Sequence, residues 1–278
     1  MPPDQPRPGR GIGKVPPPDR PDAAHGIGKA LPPDRPDAAH GIGKALPPDR
    51  PDPAQGVYET LLLRDCRVAA VGAHLDRLAG SVQELYGLPL PAEERARLIH
   101  ALTEAAGKPG EQRARIDAHP HNGGLHLSVV VSEIPARRPV TLAPVVVPRG
   151  LGAHKWCDRR LVERHGSDPV PLLVDSDGSV LEAGWANVWA LDGEWLITPP
   201  LDGRILPGVT RARLLALAPS LGLHTREQPI SLADARAATT MFLTSSLRVA
   251  VAASFDRHPH ESPAVDRIRD ALLFASFS

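Results

Sequence analysis

Lys155 is the residue of this chain best placed by its surroundings to do chemistry. Of the five lysines, Lys14, Lys29 and Lys44 fall in an N-terminal repeat and Lys108 in a Gly-Pro loop. Lys155 alone follows a strand-like apolar run, Val145-Val146-Val147, and a glycine-rich bend through Gly150 and Gly152. Lysines are mostly solvated surface groups, so a solitary one among arginines at the end of a strand favours a chemical role. Downstream, Val180-Leu181 leads into Glu182, and an Asp192-Gly193 turn precedes Trp195-Leu196-Ile197. Asp-Gly between apolar segments favours a tight hairpin. A carboxylate carried on such a strand is held rigidly and can keep a facing ring nitrogen protonated. Gly208-Val209-Thr210 then opens a helical run from Arg211 to Ala218. The first amides of a helix have no intrahelical partners, and with the helix dipole and the Thr210 hydroxyl they suit a phosphate.

These features recur in a fixed order between Glu182 and Arg211: Glu182, Gly184, Asn187, Leu196-x-Thr198 into Pro199-Pro200, and Leu206-Pro207-Gly208-Val209-Thr210-Arg211. The run resembles the signature of the class IV aminotransferases, the fold-type IV pyridoxal-phosphate enzymes, with Trp189 where the family usually has Phe or Tyr. The resemblance implies pyridoxal 5'-phosphate as cofactor, Lys155 as the lysine that holds it and serves as base, and Glu182 as partner of the ring nitrogen. It reaches back to Gly56-Val57-Tyr58-Glu59-Thr60-Leu61, which is similar to the family's G-V-F-E-T-L segment, with Asp65-Cys66-Arg67 in place of an Asp-Gly turn. His74-Leu75-Asp76-Arg77-Leu78 looks like the H-L-x-R-L motif whose arginine binds the cofactor phosphate, which points to Arg77. Near the other end, Met241 to Arg248 is a strand running into a hydroxyl-rich turn, and the resemblance places Ser246, beside Ser245, on the phosphate with Arg77, Val209 and Thr210. Ala252 stands where relatives often have proline.

Two short segments lean toward one branch of that family. Lys155-Trp156-Cys157-Asp158-Arg159 is similar to the K-x-x-[ND]-R pattern of aminodeoxychorismate lyases, and Ser246-Leu247-Arg248 to their N-S-L-R segment. Branched-chain transaminases usually place a tyrosine where Arg160 stands. The resemblance therefore implies a small-molecule amine substrate and a lyase that releases pyruvate and 4-aminobenzoate. An amino-acid transaminase of the branched-chain or D-amino acid type is the alternative, and a degenerate homologue that only binds cofactor or a partner is a third. It also implies a homodimer.

The elements that must position these residues fall into two α/β units behind a different kind of leader. Residues 1–55 repeat a Pro-, Asp- and Gly-rich unit with a period of fifteen, marked by Gly11, Gly26 and Gly41. Such a unit has too little apolar surface to offset chain ordering and reads as disordered. A small α/β domain is expected over 56–140, with strands at 57–63, 113–118 and 125–133 and helices at 74–85 and 92–106. A larger, strand-rich domain that holds the cofactor is expected over 141–278, with helices at 210–218 and 232–237, the latter capped by Ser231. Fold class is thus α/β of the α+β type, and the family resemblance makes the second domain barrel-like.

Composition narrows the classes. Lys+Arg 32 against Asp+Glu 32 gives no net charge, so no basic field argues for nucleic acid or an anionic membrane. No apolar run approaches the roughly 20 residues that cross a bilayer, and the N-terminus has no apolar secretory core, so a cytoplasmic enzyme is expected. Cys66 and Cys157 make no disulfide framework. His119, His121 and His126 match no helical metal-binding face, and Pro120 with Asn122-Gly123-Gly124 marks a hairpin tip, so no metal is assigned. His121 and Arg115 are the candidates on that hairpin for contact with a substrate carboxylate.

Overall fold

A computed structural model describes residues 50–107, 109–255 and 260–277. The repeat leader expected over 1–55 lies outside the described residues as far as 49. Its last six residues are described, and they are docked. Arg50 donates to the carbonyls of Gly150 at 2.6 Å and Pro148 at 2.9 Å, and the Asp52 N–H donates to the Asp158 carboxylate at 2.8 Å. The Tyr86 hydroxyl holds the Pro53 carbonyl at 2.7 Å.

Strand β1 (Val57–Arg64) and the short β2 (Arg67–Val68) are followed by helices α1 (Val71–Tyr86) and α2 (Ala92–Ala105), then by the long hairpin β3 (Glu111–His121) and β4 (Gly124–Ser132). The four strands form one sheet in the order β2-β1-β3-β4. A period of two along β1 assigns its two faces. Val57, Leu61 and Leu63 pack with Leu75, Leu78 and Val82 of α1 and Leu98 and Leu102 of α2, whereas Leu62 joins a second cluster with Trp189 and Phe242.

After a connector come β5 (Val140–Val146), the single turn α3 (Arg160–Glu163), β6 (Val170–Val174), β7 (Ser179–Ala183), β8 (Ala186–Asp192) and β9 (Trp195–Thr198). Then follow α4 (Val209–Leu217), β10 (His224–Glu227), β11 (Ile230–Ser231), α5 (Leu232–Ala237), β12 (Thr240–Ser245), β13 (Val249–Ser254) and α6 (Pro263–Phe277). Six strands close into a barrel in the order β8-β12-β13-β5-β6-β7, sealed by pairing of β7 with β8 through Glu182–Asn187 and Ala183–Ala186. Strands β9 and β10 extend the sheet beyond β8, and β11 pairs with β7. The expected barrel-like second half is therefore a closed barrel.

Both faces of its strands are apolar, as strands buried on two sides require. Val188, Ala190, Met241, Leu243, Val251 and Ala253 alternate toward the interior, where all six strands contribute. Trp189, Phe242, Ala250 and Ala252 point the other way, against Leu214 of α4 and Ile268 and Leu272 of α6. Trp189, the departure from the usual Phe or Tyr, is fully buried. Its ring stacks on Phe242 at 5.9 Å, and its indole N–H donates to the Thr244 hydroxyl at 2.9 Å.

The predicted elements occur with shifted ends: α1 starts three residues earlier than 74 and β3 runs through His121, whereas α2 stops at Ala105 and β4 at Ser132, one residue short of the expected 106 and 133. The Asp192-Gly193 hairpin joins β8 to β9 with Asp192 opposite Trp195, while the Val180-Leu181 run belongs to β7. Ser231 caps α5 reciprocally with Asp234, so the predicted capping box is formed.

Candidate active site

A cavity of about 210 Å³ opens between the four-stranded sheet and the barrel. Five of the six residues singled out in the sequence line it: Arg77, Lys155, Val209, Thr210 and Ser246. The sixth, Glu182, stands outside the lining. It is joined to it by one hydrogen bond, from the N–H of Leu206 at 3.2 Å, and Leu206 does face the cavity.

Lys155 is not on a regular strand. The bend before it is fixed by Gly150, whose φ of +63° and whose contact with the Arg204 carbonyl leave no room for a side chain; a Cβ would sit 2.1 Å from that oxygen. The chain then runs alongside β1: the Tyr58 N–H donates to the Lys155 carbonyl at 2.8 Å, the Cys157 N–H donates to Gly56, and Val57 bridges Trp156. This pairing aims the lysine across the ring of Tyr58, with Nζ 4.8 Å from the ring centre. Burial pulls the Lys155 amine below its ordinary value, Arg77 and Arg159 push the same way, and Tyr58 and Glu59 oppose them. The direction favours the neutral, nucleophilic amine. Burial pushes the Tyr58 hydroxyl up, but Lys155, Arg159, Arg115 and Arg113 together draw it below the usual tyrosine range.

Glu182 is buried on β7, and burial raises its carboxyl to about 7, against the lowering effects of the Leu206 N–H and of Lys155, Arg159 and Arg77. A carboxylate in that state is short of positive charge. A protonated ring nitrogen placed against it would favour its ionised form.

The anion end is built from both halves of the fold. Arg77, on α1, donates twice to Glu59, Nε to Oε1 and Nη2 to Oε2, each at 2.7 Å, and once to the Pro207 carbonyl at 2.9 Å. Glu59 also holds His74 Nδ1 at 2.8 Å, and the other nitrogen of that ring lies 3.2 Å from the Ser246 hydroxyl. Burial raises the Glu59 carboxyl, but Arg77 and His74 outweigh it and hold the group at about 2. Opposite stands the amino end of α4. Gly208 is needed there because a Cβ would lie 1.9 Å from Asn187 Oδ1, and the Asn187 amide ties β8 to the Leu206 carbonyl at 2.9 Å. Arg211 lies behind it, buried, donating to Pro199 and Glu227.

Tyr58 lines the cavity, and Glu59 and His74 hold Arg77 and Ser246 that line it; sequence reasoning left out all three. Glu59 and His74 lay inside the quoted G-V-Y-E-T-L and H-L-D-R-L segments, and two adjacent motifs carrying an acid, an imidazole and an arginine were the available signal. The hairpin candidates do not reach the cavity lining. Arg115 is held by Asp117 at 2.8 Å and stacks over Tyr58 at 3.9 Å, and His121 is exposed against Asn122. Arg113, two residues earlier on β3, lines the cavity instead. Asp117, His119 and Cys157 bring possible ligand atoms within 4.8 Å of one another, but the Asp117 carboxylate is already neutralised by Arg115 and burial pushes the Cys157 thiol up to about 12.

A half-buried lysine, a strand-borne carboxylate and a helix amino end set around one cleft fit pyridoxal phosphate, and with the barrel they define the fold-type IV architecture. The amino-transferase class IV family model matches residues 56–254, and the chain belongs to that family, whose members are pyridoxal-phosphate-dependent transaminases and lyases. A bifunctional aminodeoxychorismate lyase / D-amino acid transaminase of Mycobacterium tuberculosis is 31% identical over 230 residues, 70% of this chain and 79% of its own length. A hypothetical aminotransferase from M. tuberculosis, in its PLP-bound form, superposes with a TM-score of 0.70 at 27% identity over 86% of this chain and 95% of its own. A fold IV transaminase from Curtobacterium pusillum gives the same TM-score at 24% identity, over 80% and 85% of the two chains. Among the described residues no helix is long and apolar enough to cross a membrane.

Proposed function

We propose that the protein is a pyridoxal-phosphate-dependent lyase that converts 4-amino-4-deoxychorismate to 4-aminobenzoate and pyruvate. The observation that carries this reading is the Lys155-to-Arg159 segment. Its Asp158-Arg159 pair is the lyase-like element of the sequence, and it is tied into the fold beside the cavity rather than in its lining. Asp158, 6% exposed, ties the docked N-terminal segment through the Asp52 N–H, and Arg159 donates to the Gly184 carbonyl at the turn beside Glu182. The printed name of the M. tuberculosis relative supports the same activity. It also supports amino-acid transamination as a second reading.

The cofactor, when bound, supplies an electron sink for the charge left as the α-carbon loses its proton. The chain's residues do the rest. Lys155 would hold the cofactor, and its neutral Nζ would take the proton from the amine-bearing carbon of the substrate. Glu182 would keep the ring nitrogen protonated. Arg77, Ser246, Thr210 and the Val209 amide would hold the phosphate, and Tyr58 lies beneath the lysine. In a lyase the ring C–O bond that carries the enolpyruvyl group would then break, its electron pair leaving with enolpyruvate, which takes up a proton to become pyruvate while the ring becomes aromatic. A transaminase would use the same lysine as base without breaking that bond.

The test follows both products. Cofactor-loaded protein is given aminodeoxychorismate, and separately a panel of L- and D-amino acids with 2-oxoglutarate. Equal amounts of pyruvate and 4-aminobenzoate, lost in Lys155→Ala, are expected. Oxo acids from the amino-acid panel alone would replace the lyase with a transaminase, and absence of visible absorbance from lysine-linked cofactor would sink both.

A further inference from the structure

The site holds more positive charge than the cofactor requires. Arg77, Arg113, Lys155 and Arg248 line the cavity, and no Asp or Glu does. Arg77 is neutralised by Glu59. Of the arginines around the cavity, Arg115 and Arg137 are likewise matched, to Asp117 and Glu111. Among the described residues Arg113 and Arg248 have no acidic partner. The Nε of Arg113 is buried without any hydrogen-bond partner. Arg248 is half-buried, with its guanidinium 4.4 Å from the ring centre of Trp185, which also lines the cavity. Burial and the nearby Arg138 push its pKa down, the direction expected of a cation short of a counter-charge.

Position separates this pair from the cofactor set. Arg113 comes from β3 of the four-stranded sheet and Arg248 from the turn between β12 and β13 of the barrel, so they reach the cleft from its two sides. A guanidinium stacked on an indole is held flat, and its fork matches a carboxylate in two-point fashion. Two half-buried arginines without acids are costly to hold in one cleft, and a ligand that brings negative charge offsets that cost.

We propose that Arg113 and Arg248 form the substrate-anion pair of this site and select substrates that carry two carboxylates. This rests on the cofactor-dependent reading above and narrows its substrate class. Aminodeoxychorismate has two carboxylates, and so do the acidic amino acids.

The experiment uses non-reacting probes on the full-length, cofactor-loaded protein: glutarate against butanoate, measured by calorimetry, for wild type, Arg248→Gln, Arg113→Gln and Arg248→Lys. Cofactor affinity is titrated separately by absorbance, and thermal melting checks the fold. Wild type is expected to bind glutarate at least tenfold more tightly than butanoate. Either glutamine variant should lose about 10- to 100-fold in glutarate affinity, the loss for one charge-assisted carboxylate contact, and much less for butanoate. Arg248→Lys should fall between, since it keeps the charge and loses the fork. Equal losses for both anions, or none, would overturn the proposal. Weakened cofactor binding with unchanged preference for glutarate would also overturn it, because the charge would then belong to the phosphate. Failure of the functional reading shows elsewhere, in the cofactor titration or in the product assay.

Discussion

Replacing Glu59 with glutamine removes a charge that sits between Arg77 and His74 almost out of contact with water. Glu59 is 1% exposed, and its carboxyl is held at about 2 against an ordinary 4.5. A carboxyl whose folded pKa is depressed stabilises the fold above its unfolded pKa and loses that contribution as pH falls toward the folded value. The difference of about 2.5 pH units corresponds to about 3 kcal/mol at pH 7, at 1.36 kcal/mol per unit. At pH 3 less than half of it remains by the same linkage. Glutamine keeps the shape and one acceptor, but it leaves the Arg77 guanidinium beside a neutral group, which adds to the loss. Urea unfolding of wild type and Glu59→Gln at pH 7, 5 and 3 reads the difference directly. The gap should be about 3 kcal/mol at pH 7 and narrow as the solution is acidified into the 4.5-to-2 window. A gap below about 1 kcal/mol at pH 7, or one that does not narrow, would refute the account of Glu59 as a buried ionised partner. Because Glu59 also orients Arg77, the variant should bind pyridoxal phosphate more weakly at neutral pH.

Two further perturbations test how the site is held. Deleting residues 1–49 should leave the melting temperature and cofactor binding unchanged. Deletion through residue 55 also removes the Arg50 bonds to Pro148 and Gly150 and the Asp52 N–H from buried Asp158, and it should lower the melting temperature and weaken retention of the lysine-linked cofactor. Identical melting and cofactor retention in the two truncations would show that the docked segment does not brace the lysine bend. Gly208→Ala places a Cβ 1.9 Å from Asn187 Oδ1, so either the Asn187 side chain gives up its bond to the Leu206 carbonyl or the amino end of α4 moves. Cofactor affinity should fall at least tenfold, at a stability cost of about 1 to 3 kcal/mol, and phosphate-end binding as strong as wild type in a fluorescence titration would count against the helix terminus as the anion cradle.

Legibility in the sequence followed local chemistry. The Leu125, Leu127, Val129 and Val131 alternation gave β4, and Ser231 with Asp234 gave the start of α5, because caps and period-two patterns are written in adjacent residues. The helix α6 carried a readable stripe, Val265, Ile268 and Leu272, that went unused. Strand β10 could not be found this way: all four of its residues are exposed, and it exists because β9 offers a free edge. The same division runs through the site. Lys155 and the Gly208-Val209-Thr210 turn stood out as local patterns, while the clamp of Glu59 on His74 and Arg77 joins β1 to α1, and Arg248 meets Trp185 across a fold-level contact between two turns.

The cofactor's intended seat is also where the two halves of the molecule meet. Arg77 belongs to α1 and reaches the Pro207 carbonyl just ahead of α4, and His74 of the same helix reaches Ser246 at the end of β12. Lys155 is carried on chain that pairs with β1, while Glu182 lies on a barrel strand. A ligand that touches the lysine and Glu182 at its ring, and Arg77, α4 and Ser246 at its phosphate, therefore bonds to both halves at each end. Binding energy drawn from such contacts opposes separation of the sheet from the barrel. Glu59, which does not itself line the cavity, would act on such a ligand by fixing the arginine that joins one half to the other.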